Sequence, residues 1–575
     1  MSVHNEDIAT IFEEIADLLE IEDANPFRVR AYRNAARTLR GLAKEVGDMV
    51  AKGEEITLLP GIGEDLAAKI KEILKTGTAS ALKKLHKELP ASLEELLRIP
   101  GLGPKRVKVL FSELNIKTLK QLEKAVRGGH LQALPGFGAK TEAQILAAID
   151  ARRNQEKRFL HSVARHYAEP LVAYLHACPG VRDVTVAGSY RRGKETVGDL
   201  DILATAGRDS PVMAHFVSYE EVADVVSRGS TRATVILRSG LQVDLRVVEP
   251  KSLGAALHYF TGSKAHNIQV RRLGQQRGLK INEYGVFKGD DWLAGDTEES
   301  VFKSVGLPFI PPELREDHGE IEAAQAKHLP RLIELKDLKG DLHVHTRATD
   351  GHADIKTMAM AAKAFGLSYI AITDHSQSLG VAHGLTPRRL EEQLEEIDAL
   401  NDARLGITLL KGIEVDILED GHLDLPDDVL SRLDLVIGAI HTQFHMPSKK
   451  QTERILRAMD HKYFSILAHP TGRLLMEREP YEVDMRRVME KARERGCFME
   501  LDAQPMRLDL NDIHCQMAKD MGVTLCIDSD SHIEEGFANL QCGINQARRG
   551  WLEKSDILNT RSLTDVKKRL RATMG

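Results

Sequence analysis

Two groups of residues in this chain have types and spacings suited to chemistry. In GSYRRGKETVGDLDILATA (188–206), Asp199 and Asp201 stand two apart in a strand-like run, so both carboxylates leave one face of the strand. Asp244, in LQVDLRVV, adds a third carboxylate from a second predicted strand. Three carboxylates on one sheet face repel strongly unless cations neutralise them. Two Mg²⁺ ions there would lower the pKa of an attacking 3′-hydroxyl and stabilise a pyrophosphate leaving group. Gly188, Ser189 and Arg192, just upstream, offer backbone, hydroxyl and guanidinium donors to a triphosphate.

The second group spans the last 240 or so residues. His343 and His345 form H-x-H at a predicted strand end, followed by Asp350 in a loop. His375, Glu414, His441 and His469 end the runs YIAITDH, LLKGIEV, LVIGAIH and FSILAHP, and Asp530 and His532 follow LCIDS. These nine N and O ligands have room for three divalent ions, with Glu414 bridging two. Imidazole mixed with carboxylate suits Mn²⁺, Zn²⁺ or Fe²⁺ better than Mg²⁺ or Ca²⁺. Clustered ions activate water and clamp phosphate oxygens, so the reaction class is phosphoester hydrolysis. Spacing alone leaves Asp528 open as an alternative to Asp530. His352, His383, His422 and His445 are extra histidines, expected in solvated or supporting roles, and Arg473 is either a phosphate contact or a plain helix-start residue.

A third signal is repetition. LPGIGEDLAAKI (59–70), IPGLGPKRVKVL (99–110) and LPGFGAKTEAQIL (134–146) each place apolar-Pro-Gly-x-Gly before a helix. Glycine lets backbone approach a ligand, and the helix start offers unpaired N–H groups to a phosphate without reading a base. The three together resemble helix-hairpin-helix DNA-binding motifs, which implies DNA contacts at Gly61, Gly63, Gly101, Gly103, Lys105, Gly136 and Gly138, the third turn being open as a purely structural copy.

The elements that must position these residues differ along the chain. Apolar residues recur at helical spacing through residues 1–158, as in IATIFEEIADLLEI. Over 184–250 the period shortens to that of strands: VTVAGSYRRG, DLDILATA and ATVILRSGLQVDLRVV, the last turning at Ser239-Gly240. A charged helix, EIEAAQAKHLPRLIEL, is expected before residue 340. From 341 onward short apolar strands alternate with helices, the pattern of a parallel barrel, whose sites lie at the C-terminal ends of its strands.

Composition sets limits. The 575 residues are 42% hydrophobic and 29% charged, which excludes bulk disorder. Five cysteines without a C-x-x-C pair fit a reducing compartment rather than a disulfide framework or thiolate zinc site. No apolar run approaches the roughly 18 residues that span a membrane, and the acidic, amphipathic start is neither a secretory signal nor a transit peptide. A cytoplasmic location is expected. Net charge is −6, but residues 1–315 carry 45 basic and 41 acidic side chains, and residues 316–575 carry 34 and 44. The acidic, histidine-rich part suits cations, while the first part meets a polyanion through local patches.

The motifs resemble, in order, those of family X DNA polymerases, the polymerase-beta type, followed by a polymerase-and-histidinol-phosphatase (PHP) domain. AYRNAARTL and LPGIGEDLAAKI look like the lyase domain (1–90), and IPGLGPKRVKVLFSELNIKTLKQL like the helix-hairpin-helix subdomain (91–158). GSYRRG, GDLDIL and VDLR look like the palm (159–250), and YFTGSKAHN and INEYG like the nucleotide-selecting subdomain (251–315). A linker at 316–337 and the PHP domain at 338–575, with DLHVHT, TDHS, GIEVDI, AIHT, AHPTGR and DSDSH, complete the series. The fold class implied is multidomain α+β and α/β: helical helix-hairpin-helix domains, a nucleotidyltransferase palm and thumb, and a distorted α/β barrel.

The resemblance implies nucleotide contacts at Gly188, Ser189, Arg192, Gly198, Tyr259, Phe260, Gly262, Asn267 and Arg271, and it selects Asp530 over Asp528. It implies Mg²⁺ at the Asp triad and Mn²⁺ or Zn²⁺ at the histidine site, with gapped or nicked DNA and dNTPs as partners of a monomer. The activity implied is gap filling in DNA repair with 3′–5′ exonuclease action, and in some members abasic-site cleavage. A polymerase fused to a small-molecule phosphatase, or a non-enzymatic DNA-binding scaffold, are the alternatives. There are two departures. Gln242 replaces an Arg two residues before the third Asp. Lys69 matches the Schiff-base lysine, but Asn34 and Asp65 replace phosphate-binding lysines, and Asp65 lies one helical turn before Lys69.

Overall fold

The computed structural model describes residues 3–574 apart from 4, 23, 43–44, 89–91, 98, 100–101, 132–133, 135, 155–157 and 208. It forms two compact units, residues 1–157 and 158–575. Among the described residues no helix is long and apolar enough to cross a membrane.

The first unit is helical, as its periodicity requires. Asn5–Ile21 buries Ile8, Phe12, Ile15 and Leu19 on one stripe. It packs on Pro26–Gly41, where the rings of Phe12 and Tyr32 meet edge to face. The three glycine turns sit where helices begin. Gly63 and Gly103 are the N-cap residues of Glu64–Thr76 and Pro104–Leu114, and Gly138 immediately precedes Ala139–Asn154. The first glycine of two of these turns is left-handed, with φ of 69° at Gly61 and 83° at Gly136, a backbone region that penalises a Cβ.

The second unit starts with a five-stranded sheet in the order Val181–Val186, Asp199–Ala206, Gln242–Val248, Arg232–Leu237, Val222–Arg228. The second and third of these strands are parallel, and the other neighbours are antiparallel. The expected hairpin at Ser239-Gly240 forms, Gly240 taking φ of 85°. The run VTVAGSYRRG is not all strand. It leaves the sheet after Val186, and left-handed Gly188 turns it into the helical turn Gly188–Arg191. Helices Leu253–Thr261 and Lys264–Gln275 and a small antiparallel sheet follow. The charged helix before residue 340 is shorter than its composition suggests: it spans Glu320–Gln325, because Lys327 adopts a left-handed φ of 59° and Pro330 cannot continue it.

Beyond residue 340 the strands are all parallel. Gly340–Val344, Tyr369–Ile372 and Thr408–Lys411 form one sheet, and Glu414–Asp416, Ile437–Ala439, Ile466–Leu467, Phe498–Asp502 and Leu525–Asp528 form the other. Parallel bridges at Val344–Ser531 and His375–Glu414 join the two into a closed, irregular barrel. ITLLKGIEV is therefore two strands, not one. The break falls at Gly412, where a Cβ would come within 2.7 Å of the Thr373 side chain.

Candidate active sites

The three carboxylates expected to carry nucleotidyl transfer are set by register. Asp201 pairs with Asp244 across the two parallel strands, and Asp199 shares their face two residues earlier. The loop carrying Gly188 and Ser189 lies against this face so closely that a Cβ on Gly188 would be 2.5 Å from Asp201 Oδ2. Burial, then the charges of Asp199 and Asp244, push Asp201 up to about 7, against the pull of Arg246 and Arg192. That displacement fits a site meant for cations. Asp244 is buried and held by side chains: Thr234 Oγ1 donates to Oδ1 at 2.5 Å and Gln242 Nε2 to Oδ2 at 2.8 Å. The departing residue Gln242 thus keeps a donor on the third Asp but brings no charge.

The residues expected to select the nucleotide gather beside it. Arg192 donates to the Thr261 carbonyl and, through Nε, to Glu316 at 2.9 Å. Gly262, at the end of Leu253–Thr261, would place a Cβ 3.3 Å from Arg192 Nη1. Tyr259 and Phe260 are half-buried, the latter under the Arg246 guanidinium at 4.3 Å. Asn267 Nδ2 donates to the Tyr259 carbonyl at 2.7 Å while its Oδ1 is buried without a partner. Arg271 lies over the Tyr259 ring. Gly198 directly precedes the strand of Asp199.

In the barrel, all nine predicted ligands converge. Three clusters have ligand atoms within 4.8 Å of one another: His345, Asp350, His375 and His532; His343, His345 and Asp530; and His375, Glu414 and His441. Among the described residues these are the groups that meet that limit, and the Asp triad is not one of them. Glu414 is the hub, 2.7 Å from His375 Nδ1, 2.9 Å from His469 Nε2, 3.3 Å from His441 Nε2 and 3.5 Å from both His343 Nε2 and His345 Nε2. Yet at these short distances His343 Nε2, both nitrogens of His345, Asp350 Oδ1, His375 Nδ1 and Glu414 Oε2 are buried without an aligned hydrogen bond. Such a concentration of unbonded lone pairs is what divalent ions would satisfy.

The electrostatics of this cluster are balanced internally. Burial alone would neutralise Glu414, but His375, His441 and His343 outweigh it and hold the carboxyl well below its usual range. His343 is held charged against burial by Glu500, Asp530 and Glu414. His345 falls to about 4 through burial and its neighbours His532 and His375.

Sequence reasoning missed the carboxylates that orient these rings. Glu500 accepts from His343 Nδ1 at 2.6 Å and from the backbone N–H of His469, and Asp416 accepts from His441 Nδ1 at 2.5 Å. Both carried a signal: each is a carboxylate on a strand of the barrel, in CFMELDA and GIEVDI. Such partners fix ring orientation and raise ligand basicity. Asp528 is engaged elsewhere, its Oδ1 accepting from the Leu342 N–H and Asn559 Nδ2. His352, His383, His422 and His445 join no cluster. Arg473 does not start a helix; it makes a two-nitrogen bond to Glu195.

In the first unit, Lys69 Nζ lies 2.5 Å from Asp65 Oδ1, the i,i+4 pair expected from the sequence. Gly101 and the Lys105 side chain lie outside the described residues.

Comparison with known proteins agrees with this order of parts. Residues 3–79 match a helix-hairpin-helix domain family, 93–151 a SAM-like helix-hairpin-helix tandem, 163–246 the DNA polymerase beta palm, 256–316 the DNA polymerase beta thumb and 341–501 the PHP domain. A Bacillus subtilis protein named DNA polymerase/3′-5′ exonuclease PolX is 39% identical over 98% of this chain and 99% of its own length. A probable phosphatase of Thermoanaerobacter sp. strain X514 is 30% identical over 38% of this chain and 89% of its own length. The polymerase beta ternary complex of Leishmania infantum is similar at 22% identity over 39% of this chain and 98% of that one, with a TM-score of 0.27.

Proposed function

We propose how this protein works from its family: the chain belongs to the PolX DNA polymerases, family X enzymes that carry a PHP domain, and is a DNA polymerase and 3′–5′ exonuclease. Divalent ions are required by both activities. We assign the two activities to the two sites, with Mg²⁺ at the Asp triad and three Mn²⁺ or Zn²⁺ ions at the barrel. The protein acts as a cytoplasmic monomer on gapped or nicked duplex, filling short gaps during repair.

In the palm, Asp199, Asp201 and Asp244 would hold the ions, which would supply activation of the primer 3′-hydroxyl and neutralisation of the triphosphate. Ser189, Arg192 and the Gly188 backbone bind the phosphates. Tyr259, Phe260 and Gly262 pack against the sugar, and Asn267 and Arg271 address the base-pair edge. Gln242 orients Asp244 by an uncharged hydrogen bond and takes no proton itself. In the barrel, the nine ligands would hold ions that supply activated water and charge neutralisation to phosphodiester hydrolysis, while Glu500 and Asp416 keep the His343 and His441 rings aimed. The glycine turns grip phosphates of the duplex through helix N-termini.

The observation that carries this assignment is the convergence of nine ligands, five of them with buried atoms that lack an aligned hydrogen bond, in a fold separate from the Asp triad. One labelled primer tests it: extension with dNTPs and 3′ shortening without them should be separable by mutation of one site at a time. Similarity of the barrel to a probable phosphatase favours a second reading, phosphomonoester hydrolysis by the same ions. Histidinol phosphate assayed beside the primer separates the two.

A further inference from the structure

The polymerase loop that carries Arg192 is held by the barrel. Helix Leu540–Arg549 of the PHP domain ends in Arg549, whose side chain is 2% exposed. Its Nη1 donates to the Arg192 carbonyl and to Glu316 Oε1, each at 3.0 Å, and its Nη2 pairs with Asp512. The same Glu316 oxygen accepts from Arg192 Nε at 2.9 Å. Two guanidiniums therefore share one carboxylate oxygen, one from each domain. The adjoining residues of the loop lean on the same helix. Gly193, left-handed at φ of 64°, would set a Cβ 3.5 Å from Asn545 Cβ, and Glu195 accepts from Gln546 Nε2 at 2.5 Å.

This sharing has an electrostatic consequence. Arg192 uses Nε on Glu316 and Nη1 on the Thr261 carbonyl. Without Arg549, only Arg192 and the more exposed Lys194, whose Nζ is 3.5 Å away, would face the half-buried Glu316 carboxylate, which would then act more fully as the counter-charge of Arg192 and compete with an incoming triphosphate. Arg549 draws off part of that charge and fixes the backbone of Arg192 at once. Guanidinium geometry suits the task, since one fork reaches a carbonyl and two carboxylates together.

We infer that Arg549 of the PHP domain is a positioning residue for nucleotide binding at the polymerase site, acting through Glu316 on Arg192. The inference rests on the assignment of Arg192 to the triphosphate. The barrel is then a structural part of the polymerase site as well as a site of its own.

Steady-state single-nucleotide gap filling by the full chain tests this, with 3′–5′ exonuclease measured on the same preparations. Arg549→Ala should raise KM for dNTP about tenfold, with kcat changed far less, because a displaced charge weakens binding before chemistry. Exonuclease should stay near wild type. Adding Glu316→Gln should bring KM back toward wild type by removing the competing charge, a rescue that a merely structural contact would not give. An unchanged KM in Arg549→Ala, or a raised KM that Glu316→Gln does not lower, overturns the inference. Should Arg549→Ala lose both activities through misfolding, Arg549→Lys decides: it keeps a charge but not the fork, and should give a smaller KM rise. Arg192→Ala is the control on the underlying assignment. If it leaves KM unchanged, the reading of Arg192 fails; if it raises KM and the Arg549 variants do not, the inference fails.

Discussion

Asp201 and Glu414 are both carboxylates at the centre of a proposed cation site, yet they are displaced in opposite directions. Asp201 is pushed up to about 7 by burial and by two more carboxylates. Glu414 is held well below its usual range because imidazoles outweigh its burial. The palm site gathers like charges on one sheet face, with arginines at its edge. The barrel site alternates imidazole and carboxylate around a ring of strand ends. A site of carboxylates alone is incomplete until cations arrive, whereas a mixed site is nearly neutral and assembled beforehand. The ligand geometry follows this: the three closed clusters all lie in the barrel.

The sharpest way to break the comparison is to remove one centre at a time. Asp201→Asn should lower gap filling by about a thousandfold or more, since a neutral amide cannot replace a shared anionic ligand. Exonuclease should persist. Glu414→Ala should do the reverse and also reduce the metal content found by elemental analysis. Primer extension near wild type by Asp201→Asn, or unaltered metal content in Glu414→Ala, would refute the pairing of site with activity. His343→Ala should behave as Glu414→Ala does, but less completely, because it is one of several imidazoles around the hub.

A smaller effect sharpens the idea that the barrel is assembled beforehand. Asp416→Asn and Glu500→Gln leave all nine ligands in place but loosen the His441 and His343 rings. Each should cost about 10–100-fold in metal affinity. Titration of the metal-stripped protein, read as regained exonuclease, measures this. Gap filling should not change.

The palm triad makes the opposite prediction, that a function-killing change stabilises the ion-free fold. A folded-state pKa of about 7 for Asp201, against 3.8 unfolded, means the folded form binds more protons between those values. Stability is therefore lost as pH rises through that window and is lowest above pH 7. Asp201→Asn should recover on the order of 1–2 kcal/mol at pH 8 without divalent ions, and little near pH 4. Denaturant unfolding at both pH values checks the sign. A destabilised Asp201→Asn at pH 8 would mean that the repulsion is already relieved by the protein.

Much of this was legible in the residues. Asp199, Asp201 and Asp244 could be placed on one face because strands alternate with period two, and the barrel ligands because parallel strands deliver residues at their C-terminal ends. What was not legible depended on backbone turns and on distant pairing. Nothing in GSYRRG announces that Gly188 leaves the strand, since a left-handed φ is a property of position and not of composition. Gly412 divides one apolar run between two sheets for a similar reason, crowding against Thr373. Arg473, Glu195 and Arg549 look like ordinary surface charges in sequence. Their bonds join residues more than 270 positions apart, a separation over which no local pattern reports.

The smallest expected effect concerns Lys69, where the family's chemistry needs a neutral amine to attack a sugar aldehyde. Its Nζ is paired with Asp65 Oδ1 at 2.5 Å, and the Asp65 carbonyl is 3.4 Å away. That contact engages the amine that would have to reach the sugar. The side chain also runs beneath Tyr32, whose ring lies 5.9 Å from Nζ. Two groups within reach thus hold the amine away from a sugar. On the proposed reading of the glycine turn as a DNA grip, 5′-deoxyribose-phosphate lyase activity should be weak or absent. Borohydride reduction of the wild-type protein on a 5′-incised abasic duplex should trap little adduct, and Lys69→Ala should leave gap filling and exonuclease unchanged. Efficient trapping that disappears in Lys69→Ala would show that the Asp65 pair opens on DNA and that the lysine is a nucleophile after all. Asp65→Lys restores the residue type that the resemblance places there, and should raise trapping if the missing positive charge is what holds the activity down.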